Sequence, residues 1–273
     1  MTIGLCTDSA SQLPTDLAAR LGVEVVPVTV RIGDEEYLEG VDLDADRFYE
    51  LFHDGERPTV TTTQPSSGQY ALAYDELLSR GCTEIVSVHA MSTVSGSMNA
   101  ARLAAHQMGV PVRLVDSGAT GFAVSCAVWA AAEAVAAGGS IDDAASAAER
   151  VGPTVGNVFV MGALDLLEDR PGGSRCAVPV LGLRDGQVHV LDRVHSFEAA
   201  VEAMVAYTTG WGHALRVGIG AGDRDVAPFT AALAQAIGAS GNVDQVEDFR
   251  IGPSAGSHTG PGTAACFMFP SAT

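Results

Sequence analysis

The feature that most constrains this chain is an alternation in its first half. Short apolar runs without polar alternation take turns with alanine-rich stretches. Ile3–Cys6, Glu24–Val30, Glu84–Ala90 and Val112–Asp116 read as strands, and Pro14–Arg20, Ser66–Arg80, Ser97–His106 and Phe122–Ala137 read as helices. Strands that are apolar on both faces are covered on both faces, which predicts a parallel α/β sheet of Rossmann-like type. Gly33-Asp34, inside Arg31–Tyr37, marks a small hairpin inserted before a helix at Ala45–Phe52.

After a helix at Ile141–Glu149 the rhythm changes. Ala177–Arg184 and Gln187–Arg193 flank Asp185-Gly186, a type I′ hairpin signal. A helix at Ser196–Tyr207, a strand at Leu215–Gly220, a helix at Val226–Ile237 and strands at Val243–Arg250 and Ala264–Phe269 follow. This mixture predicts an α+β domain with a mixed or antiparallel sheet. The expected division is 1–153 and 154–273.

Composition removes whole classes of function. Hydrophobic residues make up 47% and charged residues 18% of 273, which excludes a disordered chain. All fifteen basic residues are arginine, so a Walker-type phosphate loop, a Schiff-base lysine and a pyridoxal phosphate anchor are excluded. The net charge of -18 argues against nucleic-acid and anionic-membrane partners. The five cysteines (Cys6, Cys82, Cys126, Cys176, Cys266) are scattered with no CxxC pair, which reads as reduced thiols. Met1–Ala10 has no basic leader region, and Phe122–Ala137 is shorter than the roughly 20 residues of a membrane span. A cytoplasmic protein without stable membrane insertion is expected, with no cofactor.

In a parallel α/β domain, ligands bind where strand ends run into helix N-termini. Four such segments are rich in hydroxyls: Thr7–Ser11, Val60–Gly68, Ser92–Ser97 and Asp116–Gly118. Each alone also reads as a helix cap. At one sheet edge, together, they would offer N–H and O–H donors to one anionic or polar group. A fifth segment, Ile251–Gly262, reads either as a plain Pro/Gly loop or as a rigid loop bringing His258 to a ligand.

Thr7-Asp8-Ser9, Val26-Pro27-Val28, Thr62-Thr63-Gln64-Pro65-Ser66, Val94-Ser95-Gly96-Ser97, Asp116-Ser117 and His258-Thr259-Gly260-Pro261-Gly262 occur in an order that resembles the DegV family. That family includes the fatty-acid-binding subunits of bacterial fatty acid kinase. The resemblance implies a two-domain, non-catalytic carrier with a long-chain fatty acid between its domains. It implies that Thr62 and Ser95, with Gly96, hold the carboxylate, and that His258 and Thr259 border it. Asp8, Ser9, Thr63 and Ser97 would support them, and a separate fatty acid kinase subunit would be the partner. Thr63 and Ser97 exchange the family's usual serine and threonine for each other's type. The stretch Leu164–Arg175 departs from the family pattern, Val178 stands where lysine is usual, and His195 stands where a basic residue, often arginine, is usual. These departures, with Arg170 and Arg175, bear on tail closure and partner docking.

Two other functions compete. A serine hydrolase would pair Ser95 with His258 and an aspartate, Asp8 or Asp116, although Val94-Ser95-Gly96 is no G-x-S-x-G elbow. A Rossmann nucleotide site would need a glycine-rich turn where this chain has Thr7–Ser11.

Overall fold

The computed structural model describes residues 2–52, 57–162, 177–184 and 187–271. The first domain is a four-stranded parallel sheet of order β2-β1-β6-β7, formed by β1 (Ile3–Asp8), β2 (Val23–Val26), β6 (Glu84–His89) and β7 (Val112–Asp116). β1 and β6 are buried along all but their first residue, as strands covered on both faces must be. Helices α3 (Ser67–Ser79) and α4 (Ser97–Ala105) pack on one face. Helices α5 (Phe122–Ala136) and α6 (Ile141–Val151) pack on the other. Capping boxes fix where α3 and α6 begin: Ser66 with Gln69, and Ser140 with Asp143.

The expected strand Glu24–Val30 is in fact two strands. Pro27 has no N–H to donate to a ladder, and the Val28 N–H bonds to Ser9 Oγ instead. The chain thus leaves the parallel sheet after Val26 and enters β3 (Thr29–Ile32), which pairs with β4 (Glu35–Leu38) across the expected Gly33-Asp34 turn. β5 (Val60–Thr63), read from sequence as a loop, pairs antiparallel with the other edge of β3. Helix α1 (Thr15–Leu21) follows β1, and α2 (Ala45–Tyr49) follows the hairpin.

The second domain is a six-stranded mixed sheet of order β10-β9-β8-β13-β11-β12. Its strands are β8 (Gly156–Val160), β9 (Val178–Arg184), β10 (Gln187–Val194), β11 (Leu215–Ala221), β12 (Val243–Arg250) and β13 (Ala264–Pro270). Within this sheet only β11 and β12 pair in parallel among the described strands. β8 was not anticipated from sequence. The Asp185-Gly186 turn and the Leu164–Arg175 stretch lie outside the described residues, although Arg184 and Gln187 pair as a hairpin requires. Helices α7 (Phe197–Thr209) and α8 (Ala227–Gly238) cover one face.

The other face of that sheet meets α5. Phe122 stacks on Phe249 with centroids 4.0 Å apart, and Trp129 stands edge-on to Phe269 at 5.7 Å. A Cβ on Gly218 would come within 2.1 Å of Phe122, so the bare backbone at that position makes room for the ring. Glu133, the charge that interrupts the apolar run, pairs with Arg216 of β11 at 2.5 Å. The Arg216 guanidinium also lies 5.6 Å above the Trp129 ring. No helix among the described residues is long and apolar enough to cross a membrane. Cys6, Cys126 and Cys266 are buried and Cys82 is half-buried, all as free thiols.

Candidate functional site

Three of the hydroxyl-rich segments follow adjacent strands of the parallel sheet, after β1, β6 and β7. The fourth does not lie at that sheet's edge as expected. Thr62 and Thr63 sit on β5 of the small antiparallel sheet, opposite Val30 and Thr29. The two loops nevertheless meet, because a Cβ on Gly96 would touch Gln64 Nε2 at 2.9 Å. Successive side chains on a strand face opposite ways, so Thr63 does not share the face of Thr62.

Each hydroxyl has its own local chemistry. Thr62 is exposed and its side chain makes no hydrogen bond among those described. Ser95 is half-buried, and its Oγ accepts from the Ser97 N–H at 3.2 Å, which leaves the hydroxyl proton to donate. Ser97 is buried. Asp116 is spent on backbone: it accepts from the Ser92 and Gly118 N–H groups at 3.1 and 3.0 Å. Burial opposes its charge, yet those bonds hold its carboxyl below the ordinary range.

The fifth segment is a short helix, α9 (Pro253–Thr259), rather than a loop. Pro253 opens it and Gly260, at φ 76°, ends it. α9 packs against β5 and against the 3-10 turn Ser9–Ser11. It presents His258 exposed and Thr259 half-buried. The Arg57 guanidinium lies over the end of α9, 3.2 Å from where a Cβ on Gly260 would stand.

α9 is clasped to the first domain by buried polar groups that sequence reading missed. Glu39 Oε1 accepts from the Ser254 N–H at 2.7 Å, and Oε2 accepts from the Ser9 hydroxyl at 2.6 Å. Gln12 accepts from the Gly252 N–H at 2.5 Å and donates to Ser254 Oγ at 2.9 Å. Ser9 therefore braces α9 through Glu39. Asp8 is buried, and accepts from the Tyr70 hydroxyl at 2.9 Å and the Ala10 N–H at 3.1 Å.

Burial pushes the Glu39 carboxyl above its ordinary value of 4.5, and the bonds from Ser9 and Ser254 pull it only part of the way back. Glu39 therefore holds a proton more readily folded than unfolded. Its contribution to stability is complete below 4.5 and is lost as pH rises through the folded value. Between pH 7 and about 5, the melting temperature of the wild type should gain on that of Glu39→Gln, which has no proton to take up. Calorimetry of both proteins across that range checks the sign, and a gap moving the other way rejects it.

The hydrolase arrangement is not assembled. Among the described residues no hydrogen bond joins Ser95 to His258, or His258 to Asp8 or Asp116. A cleft of about 1250 Å³ does lie between the domains, bordered by apolar residues such as Leu13, Val25 and Phe249 and by charged ones such as Asp16, Arg20 and Glu247. Its described lining includes Ser9 and Glu39 but not Thr62, Ser95, His258 or Thr259.

The chain has extensive relatives. A DegV domain-containing protein of Deinococcus radiodurans is 32% identical over 286 residues, covering 99% of each chain. One from Streptomyces coelicolor is 31% identical over 272 residues, covering 95% of each. Among solved structures, one described as fatty acid binding of a DegV family protein from Thermus thermophilus superposes with a TM-score of 0.82. It is 28% identical and covers 99% of this chain and 100% of its own. The family whose description reads "Uncharacterised protein, DegV family" matches residues 2–175 and 176–271. With both domains matched end to end, this chain belongs to the DegV family.

Proposed function

We propose that this protein is a non-catalytic carrier of a long-chain fatty acid. The observation that carries the reading is the end-to-end likeness to a DegV protein described as fatty-acid-binding. The convergence of the β5, β6 and α9 segments supports it. A carboxylate accepts at about four lone-pair sites and is costly to bury without donors. Thr62 and Ser95 supply hydroxyl protons, and Gly96, with no side chain, lets Gln64 of the neighbouring loop pack close beside them. His258 and Thr259 border the head group from α9. Thr63, Ser97, Asp8 and Ser9 brace the loops, and Arg57 adds positive charge at the end of α9.

In this reading residues 1–153 carry the head-group loops and 154–273 cover the tail. A C16 tail at about 0.8 kcal/mol per methylene supplies roughly 12 kcal/mol of gross driving force, so the loops set orientation more than affinity. The carrier presents its carboxylate to a separate kinase. This lysine-free chain lacks a phosphate-loop lysine of its own.

Native mass spectrometry with lipid extraction of the purified protein tests the function. One straight-chain fatty acid per chain is expected. A protein that stays empty after addition of palmitate overturns the reading, and turnover of acyl esters by the empty protein would favour the Ser95/His258 hydrolase.

A further inference from the structure

Beneath the head-group loops runs a line of buried polar groups that fatty-acid binding does not itself use. Tyr74 Oη lies 3.0 Å from Ser87 Oγ, and Ser87 Oγ lies 2.9 Å from His89 Nε2. On the other side of the ring, His89 Nδ1 is 3.4 Å from Tyr70 Oη, which is 2.9 Å from Asp8 Oδ2. Tyr70, Tyr74, Ser87 and His89 are fully buried and Asp8 nearly so. Polar groups in such a place are costly unless every proton finds an acceptor.

That requirement orients the line. Tyr74 donates to Ser87 Oγ, and because Tyr70 donates to Asp8 its oxygen can only accept from the His89 ring, which leaves Nε2 to accept from Ser87. The ring proton then sits on Nδ1 and faces the Tyr70 oxygen. The Tyr70 proton goes to Asp8, whose other oxygen is held by the Ala10 N–H. Burial, and after it the charge of Asp8, pushes the Tyr70 phenol far above its ordinary range, so that proton stays in place.

Tyr70 stands at the junction. It lies on α3, directly after the Thr62–Ser66 segment, and reaches β1 through Asp8 and β6 through His89. Helix α4, which Ser97 opens, packs against α3 in the same buried cluster as Tyr70, and the Ser97 N–H is the group bonded to Ser95 Oγ. We infer that Tyr70 is a positioning residue of the head-group site, its hydroxyl locking the Asp8 loop and the Ser95–Ser97 turn in one register above a His89 held as its Nδ1–H tautomer. As a claim about ligand binding it rests on the fatty-acid reading. As a claim about the loops it does not.

Tyr70→Phe and Tyr74→Phe each delete one buried hydroxyl from the same line, but only Tyr70 touches the loops. Palmitate affinity should fall about tenfold in Tyr70→Phe and stay within about twofold in Tyr74→Phe, at comparable losses of melting temperature. Hydrogen exchange of the Ser97 amide needs no ligand and should speed about tenfold in Tyr70→Phe alone. The ¹⁵N spectrum of wild-type His89 should show protonated Nδ1 and bare Nε2. Equal loss of affinity in both variants, unchanged Ser97 exchange in Tyr70→Phe, or an Nε2–H His89 would each overturn the inference. Absent palmitate binding by the wild type, with Ser97 exchange still responding to Tyr70→Phe, would sink the fatty-acid reading and leave the positioning role standing.

Discussion

Replacing Thr62 by Val and Ser95 by Ala in one chain is expected to weaken fatty-acid binding by roughly a hundredfold to ten-thousandfold. A hydrogen bond to a charged group is worth about 1.5–3 kcal/mol, so each single change should cost about ten- to a hundredfold. In the proposed site the two donors serve one carboxylate and couple, so the double sits below a strict product at the upper end. The structure separates affinity from stability in this pair. Thr62 is an exposed strand residue whose hydroxyl makes no described bond, and valine suits a strand at least as well. Thr62→Val should therefore leave the melting temperature within about a degree. Ser95 Oγ also accepts the Ser97 N–H, so Ser95→Ala should cost about 1 kcal/mol of stability besides its effect on binding. Fatty-acid titration and thermal melts on the singles and the double decide the matter. Lost stability with intact affinity would make these hydroxyls structural groups and nothing more.

Phe122→Ala is expected to give the largest loss of stability of any change considered. The ring is buried at the seam between the domains, stacked on Phe249, tilted against Phe267 and pressed into the gap left by Gly218. Its neighbours come from both ends of the chain and cannot close in without moving one domain against the other. Phe→Ala substitutions in cores cost about 3–5 kcal/mol. At roughly 2–4 °C per kcal/mol for chains near this size, the melting temperature should drop by about 6–20 °C. If the seam joins two units that melt together, a single calorimetric transition should give way to two. A drop below about 3 °C would mean that this stack contributes little to holding the domains.

The parallel domain was largely legible because its strands announce themselves. Ile3–Asp8 and Glu84–His89 are apolar on both faces, and that pattern has few alternatives. The elements that escaped are those whose stability comes from partners. Val60–Thr63 is three threonines after a valine, polar enough to read as a loop, and it becomes a strand because the free edge of β3 takes it up. Pro253–Thr259 holds two serines and a glycine, poor helix formers, and winds into a helix because Glu39, more than two hundred residues earlier, caps its first turn. The motif residues could be found in the linear order. Most of the groups that hold them could not: Gln12, Glu39 and Tyr70 carry no local signature. Only His89 and Ser87 leave a trace, as polar residues inside an otherwise apolar strand.

The clasp between Gln12 and Ser254 joins residues 242 positions apart, and Glu39 reaches Ser254 across 215. Closing a loop that long is entropically costly and brings no local reward on the way, so contacts of this kind form late on a folding path. α9 cannot dock before residues 253–259 have been made, and in the proposed reading it carries one wall of the head-group site. A partly synthesised chain, although its parallel sheet could already be complete, would hold no finished cradle for a lipid. In that reading the ability to bind would switch on only when α9 docks, as a property of the two domains together and of neither alone.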